Sequence, residues 1–130
     1  MYKPALNLAI LFAALAVVIG AFGAHALKPI LTPEYKLTFE TGVKYQFYHS
    51  IGLAFTGLLS LHFPSKYIKY ATQLFSIGIV FFSGSLYALS LLQSTSNIGL
   101  GGIGILTPIG GLLLISAWIC LYLSINTKRQ

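Results

Sequence analysis

The chain has 130 residues, enough for one domain, and only 8% of them carry a formal charge, where a soluble domain has about a quarter. With 56% hydrophobic residues, it lacks the polar surface to cover a soluble sphere of its size. Soluble enzyme, nucleic-acid module and disordered tail are excluded, and an integral membrane protein is left. The net charge of +6 arises from eight Lys and Arg scattered at segment ends, with no basic run longer than Lys128-Arg129. In membrane proteins such residues set orientation and meet anionic headgroups, so membrane lipids, and no nucleic acid, are the expected partners.

A spanning helix needs about 20 mainly apolar residues. In chain order the predicted spans cover about residues 4–24, 45–63, 67–92 and 103–125. The first begins after Lys3 and is interrupted only by Asn7. Lys3, the apolar run and Ala24-His25-Ala26 mimic a secretory signal with its cleavage site. The run is longer than a signal core, however, and nothing after residue 26 reads as soluble, so a retained helix is expected. Its Ala16, Gly20 and Ala24 at four-residue steps would admit another helix close to its backbone.

The second span is preceded by the most polar stretch of the chain, which holds both acids. Thr32-Pro33-Glu34 reads as a helix start, with a hydroxyl at the N-cap, Pro in the first turn and an acid behind it. Lys36, Glu40 and Lys44 follow at i, i+4 spacing, beside the apolar stripe Tyr35, Phe39, Val43 and Phe47. Residues 33–44 are therefore read as an amphipathic helical extension. A helix from Pro33 to Leu61 would be about 43 Å long, longer than a hydrocarbon core of about 30 Å. Its first turns must lie outside the core or along the interface, with Gly42 a place for a bend. Further along the same helix, Gly42, Gln46, His49, Gly52 or Leu53, and Thr56 form a narrow polar and small-residue stripe entering the membrane. Such a stripe can serve as a proton, ion or ligand path, or it can hold helices together by hydrogen bonds.

The third span carries Gln73, Ser76, Ser83, Tyr87 and Ser90 along one face and Gly84 and Ala88 on the next. In the fourth, Thr107 and Gly111 lie one turn apart around Pro108, and Trp118 and Tyr122 sit towards the far end. Serines and glycines at these spacings suit tight packing of membrane helices. The glycines at 99, 101, 102 and 104 lack any phosphate-loop pattern and are read as a mobile, uncharged linker. Cys120 is a lone hydrophobic thiol, and three separated histidines make no metal signature. No Ser-His-Asp set is available, because the chain contains no aspartate. Neither an enzyme nor a cofactor is expected.

Four ordered stretches carry a resemblance: Gly20-Ala21-Phe22-Gly23-Ala24-His25, the run Thr41 to His49, Phe82-Ser83-Gly84-Ser85-Leu86-Tyr87, and Thr107-Pro108-Ile109-Gly110-Gly111 with Trp118 following. Together they resemble the YgdD/YwdK family of small bacterial inner-membrane proteins of unknown function, which has mitochondrial relatives in animals. The resemblance implies a multi-pass protein with four helices and transfers no activity, substrate or cofactor.

The expected fold is thus an all-α membrane protein, four transmembrane helices in an antiparallel bundle. Lys3, Lys66, Lys69, Lys128 and Arg129 would share one side, and Lys28, Lys36 and Lys44, with Glu34 and Glu40, the other. This asymmetry places both termini in the cytoplasm of a bacterial cell. That topology gathers His25, Glu40, Gln46, His49, Ser83, Tyr87 and Thr107 towards the outer side as one polar cluster, with Ala16, Gly20, Ala24, Gly84 and Gly111 as packing positions. The first functional reading is a non-catalytic structural, accessory or lipid-interacting protein. The alternative is a small transporter or channel for protons, ions or a small amphiphile built around His49. It would work as a homo-oligomer, since four short helices barely enclose a pore. A lipid-modifying enzyme or quinone-binding protein using His49 and Glu40 is the third.

Overall fold

The computed structural model describes residues 1–96 and 101–126. Among them the chain forms four helices and no strand: α1 (Lys3–Ala24), α2 (Pro33–Leu59), α3 (Lys66–Ser96) and α4 (Gly101–Asn126). α1, α3 over Lys66–Thr95, and α4 are long and apolar enough to cross a membrane. In such a solvent a helix is favoured because it satisfies every backbone N–H and C=O internally. α2 is not among these three, since Glu34, Lys36, Glu40 and Lys44 occupy its first half.

Two boundaries differ from the sequence reading. Gly101, Gly102 and Gly104 belong to the first turns of α4 rather than to a linker, while Gly99 lies outside the described residues, as do Lys128 and Arg129. The helix accepts them because glycine's cost is modest against unpaired backbone in lipid. α2 runs unbroken through Gly42 and ends at Leu59. Thr32 does stand at its N-cap with Pro33 at the first helical position, but the Thr32 hydroxyl makes no capping hydrogen bond. Thr32 is exposed, where water can serve the free amides of the first turn.

Successive helices pack antiparallel. The start of α1 is pinned to the end of α2, where Tyr2 N donates to Gly57 O at 3.2 Å and to Ser60 Oγ at 2.7 Å. At the other end Gly23 of α1 lies against the Phe39 ring of α2. Gly42 of α2 faces Tyr87 near the end of α3, and Gly52 faces Phe75 nearer its start. α3 then meets α4 through Gly78 against Leu114 and Gly110 against Phe82. α2 and α3 are the inner pair, α1 flanking one and α4 the other, and α1 and α4 do not pack on each other. The arrangement is a folded row rather than a closed square.

One core of alanines and large apolar side chains joins all four helices: Ala5 and Ala9, Leu53, Ala71, Phe75 and Ile79, Leu114 and Ala117. Alanines at these crossings let neighbouring backbones approach, which lipid-embedded helices use in place of hydrophobic burial. The outward surface is correspondingly apolar, with Ile10 70% exposed on α1 and Leu112 66% exposed on α4. A soluble protein would not display such a surface.

Candidate functional site

The polar stripe of α2 points inward. Gly42, Gln46, His49, Ser50, Leu53 and Thr56 recur at helical spacing and are all buried. This is the reverse of a soluble amphipathic helix, whose polar face meets water.

Gln46 is the junction. Its Nε2 donates to the Phe12 carbonyl of α1 at 2.9 Å, and its Oε1 accepts from the Tyr87 hydroxyl of α3 at 2.8 Å. The amide orientation follows from its partners, because a backbone carbonyl can only accept. One side chain thus ties three helices. A turn away, Ser83 of α3 donates to the Gly42 carbonyl at 2.7 Å. That bond is possible because glycine bares the α2 backbone: a Cβ at Gly42 would stand 2.7 Å from Tyr87 Cε1.

A separate hydrogen-bonded pair links α3 to α4. Ser85 Oγ donates to the Phe82 carbonyl at 2.9 Å and lies 2.6 Å from Thr107 Oγ1. With the serine hydrogen spent on the carbonyl, Thr107 is the donor of the pair.

His49 is buried but keeps other company. Its Nδ1 donates to the Tyr45 carbonyl at 2.6 Å, so Nδ1 carries a hydrogen, because a backbone carbonyl can only accept. Around it stand aromatic rings: Tyr45 stacked at 5.8 Å, Phe75 at 6.0 Å and Trp118 at 6.2 Å between centroids. Phe75 and Trp118 meet edge to face at 5.1 Å, a favoured aromatic geometry.

The seven residues grouped by sequence therefore divide. Gln46, Tyr87 and Ser83 gather where α2 meets α3, Thr107 pairs with Ser85, and His49 sits in its aromatic nest. His25 is exposed and bonded only to its own helix, at Ala21 O, 3.1 Å. Glu40 is half-buried and faces a cleft between α1 and α2. Among the packing positions, Ala16 is buried and Gly20 faces Val43. Ala24 is exposed, and its expected place is taken by Gly23. Gly84 has nothing within 4 Å of a Cβ position, and Gly78, six residues earlier, makes the close contact. Gly111 is only in ordinary contact with Phe82, whereas Gly110 meets the Phe82 backbone. Sequence reasoning did not single out Ser85 or the Phe12 carbonyl. The signal for Ser85 was its place inside the Phe82 to Tyr87 motif; a backbone carbonyl leaves none.

The described residues contain no group of three or more His, Cys, Asp or Glu able to hold a metal ion. Buried hydrogen bonds between apolar helices define a multi-helix membrane protein. The chain belongs to the family described as "Protein of unknown function (DUF423)", whose model matches residues 19–111. Among its relatives is the UPF0382 membrane protein YwdK of Bacillus subtilis, 40% identical over 82% of this chain and 83% of its own length. A UPF0382 membrane protein of Haemophilus influenzae is 38% identical over 98% of both chains, and one of Staphylococcus epidermidis 43% identical over 94% of both. No solved structure matches the chain.

Proposed function

We propose that this chain is a non-catalytic, non-conducting protein of the bacterial cell membrane that acts through lipid and protein contacts, its interior polar groups bonded between helices or back onto their own helix. The observation that carries the reading is where those groups spend their hydrogen bonds. Gln46, Tyr87, Ser83 and Thr107 end on neighbouring helices, and Ser50, Thr56, Thr72 and Ser90 end on carbonyls of their own helix. A conducting path needs polar groups free to bind what passes.

In this reading α2 is a fourth span although its composition is less apolar, because its polar side chains face α1 and α3 rather than lipid. Lys3, Lys66 and Lys69 stand at the end where Tyr2 meets Gly57, and Lys28, Lys36 and Lys44 at the other. On the sequence count, which adds Lys128 and Arg129 beyond the described residues, both termini are cytoplasmic.

Reconstituted liposomes loaded with a pH-sensitive dye test the reading. Proton entry is expected to match protein-free liposomes and to be unchanged by His49→Phe, which keeps a ring in the aromatic nest. A leak present in the wild type and abolished in His49→Phe, with the fold retained, would establish transport instead.

A further inference from the structure

We propose that the cleft between the end of α1 and the start of α2 seats one anionic phospholipid of the surrounding bilayer; this rests on the reading of both helices as spans. Two adjoining spaces make up the cleft. The smaller, about 130 Å³, is lined by Gly23, Lys36, Phe39 and Glu40 among others; the larger, about 320 Å³, by Val17, Phe47 and Tyr48. Gly20, Val43 and Lys44 belong to both, so the spaces form one furrow along the helices. Only α1 and α2 line it, and Val17 is 64% exposed, which leaves it open sideways to lipid.

α1 supplies a ruler for depth. Its 22 residues span about 33 Å, close to a hydrocarbon core of about 30 Å. Gly20 lies against Val43 and Gly23 against Phe39, so residues 39–44 of α2 sit level with the last turns of α1. Lys36, Glu40 and Lys44 are therefore at the boundary of headgroup and acyl chain, where a lysine stem lies on apolar surface and its ammonium reaches the phosphates. Below them the furrow is apolar and aromatic. A charged top over an apolar floor, aligned with the bilayer normal, is complementary to a phospholipid. Two lysines to one glutamate give the top a net positive charge, which selects a net anionic headgroup.

Native mass spectrometry of protein extracted from nanodiscs of equal parts phosphatidylglycerol, phosphatidylethanolamine and phosphatidylcholine tests this. A predominant phosphatidylglycerol adduct is expected. It should fall about thirtyfold in Lys36→Gln/Lys44→Gln, on the scale of two juxtamembrane lysines, and stay unchanged in Lys3→Gln/Lys66→Gln/Lys69→Gln at the opposite rim. Glu40→Gln should hold or strengthen it, and Val17→Trp, on an exposed wall, should displace it with helical content intact. Equal loss in both lysine sets would reveal diffuse attraction and overturn the site. So would adducts indifferent to headgroup, an ethanolamine adduct lost with Glu40, or an adduct that survives Val17→Trp. A proton leak in the liposomes would defeat the non-conducting reading and leave this measurement standing.

Discussion

The seam between α3 and α4 and the seam between α1 and α2 use the same device, glycine facing a bulky neighbour, with opposite results. Along α3–α4 the backbones meet closely: Gly110 receives Phe82, Gly78 receives Leu114, and Thr107 is bonded to Ser85 across the gap. Along α1–α2 the contact is close where Gly57 receives Leu6, where Gln46 reaches Phe12 and where Gly23 receives Phe39, but one side of the seam opens into a furrow running past Val17, Val43 and Lys44. The α3–α4 seam is uncharged. The open part of the other carries Lys36, Glu40 and Lys44 on one wall. Charged groups cannot be shut between apolar helices without a large desolvation penalty, and Lys36, Glu40 and Lys44 line the side of the seam that stays open. Two glycine-bearing seams thus differ in charge as well as in closure.

The sharpest way to break this contrast is to make the closed seam behave like the open one. In Gly110→Ala the new methyl carbon would stand 2.8 Å from Phe82 Cα. The obstacle is backbone, which cannot swing aside as a side chain does. A loss of about 3 kcal/mol, the upper range for overpacking, is expected in detergent-micelle unfolding. Trp118, the single tryptophan, is the natural reporter because it lies on Phe75 of α3. Near wild-type stability in Gly110→Ala would mean that the seam is looser than its geometry.

A smaller effect is expected at the closed half of the α1–α2 seam. Gln46→Leu removes two interhelical hydrogen bonds. At about 0.6 kcal/mol for each such bond in a membrane, the total is about 1 kcal/mol. Tyr87→Phe should cost about half as much, since it removes one bond and leaves the Gln46–Phe12 link. A Tyr87→Phe loss as large as that of Gln46→Leu would shift the weight of the junction from α1 to α3.

The helices themselves were legible in the sequence, because long apolar runs with polar punctuation have few alternatives in lipid. Which face turns inward was legible in part for α3, where Ser83 and Ser90 of the polar face are buried, and most plainly for α2. There Gln46, His49 and Thr56 stand out from apolar neighbours, and burying them together is the economical solution. α1 and α4 are apolar all round, so no contrast marks their inner side. One residue along a helix is about 100° of rotation, enough to exchange Gly111 for Gly110 and Ala24 for Gly23. The Ser85–Thr107 pair was hidden for the same reason, since its partner helix had no readable face. The linker glycines misled differently: glycine marks loops in water, but at the edge of a bilayer the helix continues through them.

Gly84 gives the smallest effect and the cleanest control. Its four-residue spacing to Ala88 suggested a packing face, yet the space where its Cβ would stand is empty to 4 Å. With no neighbour to meet, Gly84→Ala should act only through the backbone, where replacing glycine inside a helix gains about 0.5–1 kcal/mol. The expected outcome is therefore a small rise in the unfolding temperature, opposite in sign to Gly110→Ala at the same chemical change. The pair isolates close approach from helix propensity, since both positions lie within helices and both variants add one methyl. If Gly84→Ala were instead as damaging as Gly110→Ala, something would have to cover that face of α3 in the membrane. A second copy of the chain would then be the first candidate, and cross-linking from position 84 would identify it.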